Sequence, residues 1–192
     1  MNLDFTDEDM LRPIFVDPPD GIGRPDAWTA PHGFMIGGMG DMQKSEIAQQ
    51  YFNAANELVK LIWKQQVEDF ILAFPILYLY RHSIELMLKA AMNQGDGHEL
   101  DKLAELFVNS IASKHKQQVP KWIVDRLKEI ATIDPRSTSF RYSVKSRKGK
   151  HEEALGGEHY IDLRHLQRAM RALYLSLERV INFDNGLPER RF

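Results

Sequence analysis

The chain has 192 residues, 43% of them hydrophobic and 27% charged, with a formal net charge of −2. That apolar share excludes a wholly disordered chain, and the near-neutral charge excludes a protein that coats nucleic acid by charge alone. Cysteine is absent, which excludes disulfides, thiolate nucleophiles and cysteine-held zinc and suits a reducing cytoplasm.

Residues 1–42 read as an irregular, acidic arm. Five of the nine prolines (Pro13, Pro18, Pro19, Pro25 and Pro31) and six of the twelve glycines fall there, a density that breaks helices and sustained strands. Through Asp26 it holds seven acids against Arg12 and Arg24, so residues 1–26 carry −5 and the rest of the chain +3. Its opening, MNLDFTDEDM, is acidic and unlike the basic start of a secretory signal. Two readings stand for it: a surface-draped or poorly ordered segment, or one docked through Ile14, Phe15, Val16, Trp28, Phe34 and Met35 on the body or on a second subunit.

Residues 43–192 read as a helical domain. From Ser45 on, Ile47, Tyr51, Ala54, Ala55, Leu58 and Ile62 recur at three- and four-residue steps, which predicts a helix ending near Gln66 and capped by Asp41 or Ser45. A second helix is predicted over 68–92, with Pro75 in its first turn or at a kink, and with NQGDG at 93–97 as its stop. The apolar run 70–79, FILAFPILYL, is too short to span a bilayer and is predicted to be a buried helix segment. A third helix over 99–113 turns Leu100, Leu103, Leu106, Phe107 and Ile111 to one face. A fourth begins at Pro120, shows Trp122, Ile123, Leu127, Ile130 and Ile133, and ends at Asp134-Pro135. Residues 140–144 and 158–162 are each predicted as a short strand of one hairpin. The last helix, over 163–183, has Asp162 as its cap and Leu166, Met170, Leu173, Leu177, Val180 and Ile181 inward. The expected fold is all-α: an antiparallel bundle of four to five helices, with the arm before it and the short β-hairpin before the last helix.

The second helix carries the densest chemistry. Arg81, Glu85 and Lys89 stand four apart on one face, and His82 lies beside it. Charges on so apolar a helix need partners. They form either an ion-pair ladder that locks neighbouring helices or a polar site in which Arg81, His82 and Glu85 are catalytic, His82 moving a proton near neutral pH. His98 opens the third helix and is a candidate substrate contact, together with Lys89. Arg141, Lys145, Arg147, Lys148 and Lys150 put five cations within ten residues, beside Phe140 and Tyr142, a pairing that suits single-stranded nucleic acid as well as a solvated loop. Phosphate-loop, zincin and nucleophile-elbow patterns are missing, so no cofactor is called for. His151, Glu152, Glu153 and His159 fix no metal site by spacing.

The ordered set YRHSIELMLK at 80–89, GHEL at 97–100, Asp134-Pro135 and Phe140-Arg141-Tyr142 resembles a group of prokaryotic HEPN-like helical proteins, over about residues 45–184. The resemblance implies an antiparallel helical bundle that often dimerises. It implies either a metal-independent ribonuclease of toxin–antitoxin or phage-defence systems or a non-catalytic module that binds RNA, a nucleotide or a partner protein. Catalytic members separate an arginine from a histidine by four to six residues. Here Arg147 and His151 have three between them, Arg24 and His32 have seven, and Arg81-His82 and Arg164-His165 are adjacent, so that site does not carry over. Three expectations follow. The first is a dimeric binding module in the cytoplasm, without a membrane role. The second is a ribonuclease with a variant site at Arg81, His82 and Glu85. The third is a structural subunit.

Overall fold

The computed structural model describes residues 42–93, 97–141, 144–147, 150–153, 155 and 157–187, and positions 11 and 13–15 of the leading segment. Docking by Val16, Trp28, Phe34 and Met35 lies outside these residues. Five helices make up the described body: α1 (Lys44–Trp63), α2 (Asp69–Met92), α3 (Leu100–His115), α4 (Lys121–Ile133) and α5 (Leu163–Asp184). They form an all-helical bundle centred on α2, which packs against α1, α3 and α5, while α3 carries α4.

Each helix starts and stops for a local reason. At the head of α1, Gln43 rather than Ser45 is the N-cap, and Glu46 reaches back to accept the Gln43 N–H at 2.9 Å. The helix ends at Trp63, three residues short of the predicted end. α2 runs through Pro75 without a break. Pro75 and Ile71 are both exposed, so water can take the Ile71 carbonyl that proline leaves without a donor. Asn93 closes α2 in the left-handed conformation, φ 51°, and Gly97 follows at φ 84°, where a side chain would be strained. Asp162 caps α5 by accepting the His165 N–H at 2.9 Å.

The core joins all five helices: Phe52 and Val59 from α1, Ile84 and Leu88 from α2, Leu103 and Phe107 from α3, Leu127 from α4, and Leu173 and Leu177 from α5. Several expected faces are turned. α1 buries Ala48, Phe52, Ala55 and Val59, one position round from the predicted stripe, and Ala54 is exposed. Leu106 and Trp122, expected inside, are 46% and 43% exposed. The run 70–79 is not the buried segment expected: Phe70, Ile71 and Phe74 face out, and within the run Ile76 alone is fully buried. By length and composition α2 matches a membrane span, yet its second half is the centre of the bundle. Of the strands expected at 140–144 and 158–162, the first has turn structure at 140–141 and strand structure at Val144, and the second has none. Backbone pairing instead joins Val144–Arg147 to Lys150–Glu153, and 158–162 leads into α5 without strand structure.

Candidate functional site

The polar residues of α2 go to two different places. Arg81, Glu85 and Lys89 are buried, at 1%, 0% and 5% exposure. An unpaired ion at such a depth costs several kcal/mol, and none here is unpaired. One Glu85 oxygen, Oε2, accepts from Arg81; the other, Oε1, accepts from Lys89 Nζ at 2.8 Å and meets His98 Nδ1 at 2.7 Å. Burial by itself pushes the Glu85 carboxyl up, but the bonds from Lys89, Arg81 and His98 outweigh it and hold the group below its ordinary 4.5.

Arg81 extends the network to two chain reversals. Its Nε donates to the Asp134 carbonyl at 3.2 Å and lies 3.4 Å from Asp134 Oδ2. Nη2 donates to the carbonyl of His98 at 2.8 Å and faces that of Pro135 at 3.4 Å. Asp134 Oδ1 accepts the backbone N–H groups of Thr138 and Ser139, at 2.7 and 2.9 Å, which shapes the second reversal. The Leu100 N–H donates to the Pro135 carbonyl at 3.0 Å and joins the reversals to each other. One guanidinium thus holds the start of α3 and the end of α4 against α2.

His98 is the outer end of this network, its side chain 69% exposed. Because ionised Glu85 can only accept, Nδ1 carries the proton and Nε2 is left toward solvent. A buried carboxylate that orients an exposed imidazole is the arrangement in which histidine serves as a base.

His82 points elsewhere. Its ring meets Tyr51 edge-on at 4.6 Å and lies nearly parallel to Tyr78, 5.7 Å between centroids and 7° between planes. The Arg141 guanidinium sits over the Tyr78 ring, 5.7 Å from its centroid, and its Nε donates to the Ser137 carbonyl. The three rings are half-buried and Arg141 is exposed. Burial, first, lowers the His82 pKa below 6.5; the Glu85 charge opposes this, and the positive fields of Arg81, Lys89 and His98 add to it. At neutral pH the ring is therefore an uncharged aromatic.

The grouping of Arg81, His82 and Glu85 expected from the sequence is thus divided. Arg81 and Glu85 stay together, and the histidine that meets Glu85 is His98. Lys89, expected at a substrate, is buried on Glu85. The sequence placed Tyr51 only in the apolar stripe of the first helix and did not pair Tyr78 with Arg141, although Tyr78 at four residues before His82 marks a shared helix face. Lys145 and Arg147 are fixed as backbone, opposite Glu152 and Lys150. Tyr142 and Lys148 lie outside the described residues. Among the described residues no group of three or more His, Asp or Glu could hold a metal ion. No protein-family model matches this chain, and no curated protein or solved structure shows detectable similarity to it.

Proposed function

We propose that this chain is a HEPN-like module, an antiparallel bundle, that binds single-stranded RNA rather than cleaving it. The observation that carries this reading is the row Tyr51, His82, Tyr78 and Arg141: half-exposed rings next to a cation. Bases stack on such rings for about 1–3 kcal/mol each, with little regard to sequence, and cations track the phosphates. The segment with Lys145, Arg147 and Lys150 follows Arg141 within a few residues and supplies further charge. Arg81 and Glu85 are bonded within the protein on every side, which favours a framework role for them. Dimerisation, a cytoplasmic location and a toxin–antitoxin or phage-defence setting belong to the same proposal.

The test is fluorescence anisotropy of a labelled single-stranded RNA across a salt series. Binding falls steeply as salt rises. Tyr78→Ala weakens it by roughly tenfold, the lower part of the stacking range. Arg141→Gln lowers the salt slope by about 1. Absence of binding at low salt returns the chain to the structural-subunit reading.

A second reading, a metal-independent ribonuclease, is favoured by the orientation of His98 on Glu85. Cleavage in EDTA by the wild type and not by His98→Ala selects it; His82→Ala, which expectation from sequence would choose, would then keep its activity.

A further inference from the structure

Between α2, α4 and α5 lies a cavity of about 410 Å³, within the range of roughly 300–1,000 Å³ that small-molecule sites occupy. It is lined by Leu77, Ile130, Ile133, Phe140, Met170 and Leu173, all apolar. Its lip mixes the exposed side chains of Phe74, Tyr160 and Ile161, at 44%, 94% and 44% exposure, with charged and polar ones. The polar groups that border the inside already have partners. Tyr80 donates its hydroxyl to Asn56 Oδ1 at 2.9 Å, and Arg81 is bonded to Glu85 and to the carbonyls of Asp134 and His98. A ligand body inside would find nothing to hydrogen-bond, so it must be apolar.

The mouth decides the head group. Arg126 is paired with Glu129 at 2.5 Å, and Asp162 is engaged by the His165 N–H. His159 Nε2 meets the Leu155 carbonyl at 3.1 Å. An anionic head would meet Glu129 and Asp162, and a cationic one would meet Arg126 and the positive end of α5. What is left at the mouth is the exposed Tyr160 hydroxyl and the His165 imidazole, each able to make a hydrogen bond to a hydroxyl or carbonyl group. We propose that this cavity binds an uncharged lipophile, an apolar body with one hydroxyl or carbonyl head held at Tyr160 and His165. The site is separate from the Tyr78–Arg141 row and does not rest on RNA binding.

The test uses the full chain and the neutral dye Nile red. Its emission is expected to shift to the blue and saturate, and dodecan-1-ol is expected to displace it at a concentration about tenfold below that needed with dodecanoate. Ala169→Phe, which fills the cavity, lowers dye affinity at least about tenfold. Phe70→Ser, on the exposed side of α2 and outside the lining, leaves it unchanged. Tyr160→Phe serves where Ala169→Phe fails to fold, because its side chain is exposed: it weakens dodecan-1-ol several-fold and spares the dye. Three results each overturn the proposal: no dye response, equal displacement by alcohol and carboxylate, or an effect of Phe70→Ser as large as that of Ala169→Phe. A signal per chain that falls as protein concentration rises also overturns it, since a second copy would then be the occupant.

Discussion

Replacing Glu85 by leucine is the sharpest perturbation of this fold. The substitution removes the carboxylate shared by Arg81, Lys89 and His98 and leaves two cations, 1% and 5% exposed, without it. Breaking a buried pair from one side costs about 3–5 kcal/mol. Arg81 keeps Asp134 and its carbonyl acceptors, so the lower end, about 3 kcal/mol, is expected. At a urea slope of about 2 kcal/mol per molar, the midpoint followed by helical circular dichroism falls by about 1.5 M. Adding Arg81→Met removes the stranded cation, so the double variant is less destabilised than the sum of the singles, by about 2 kcal/mol. Single losses under about 1 kcal/mol with additive doubles would refute the reasoning, because they would mean that water reaches the network. Glu85→Gln adds a pH signature. The Glu85 carboxyl is held below 4.5 in the folded state, so its contribution is complete above pH 4.5 and disappears as pH falls through the lower folded value. The stability gap between wild type and Glu85→Gln must therefore narrow below pH 4.5.

Three further outcomes are expected. His82 titrates below 6.5 by NMR, and because its folded pKa is the lower one, the wild type loses stability as pH drops below 6.5; His82→Phe, which keeps the stack with Tyr78, removes that part of the loss. The Tyr80 phenol, pushed up to about 12 by burial, ionises there in alkaline absorbance titration, and Tyr80→Phe, losing only the 2.9 Å bond to Asn56, costs about 1 kcal/mol in urea unfolding. Leu127→Ala, emptying a site with 0% exposure, costs about 2–5 kcal/mol, whereas Phe70→Ala, at a side chain 68% exposed, changes the midpoint little.

The amino-acid sequence by itself determined where helices form and end. Periodic apolar residues, Pro120 before α4, Asp162 at the head of α5 and the Asn93–Gly97 stop all act within one or two turns of the chain, so they are legible locally. It also determined that Arg81, Glu85 and Lys89 share a face and cannot stand alone on so apolar a helix. The tertiary structure decided what those local features meet. α1 is apolar on two adjacent stripes, and only packing against α2 selects Phe52 and Val59 over Ala54. Both His82 and His98 could reach Glu85. The chain reversal through Asn93 and Gly97 delivers His98, while Tyr51 from another helix draws His82 aside. Likewise, the half-exposure of Phe74 belongs to the gap left between α2, α4 and α5, a property of how three helices meet rather than of any one of them.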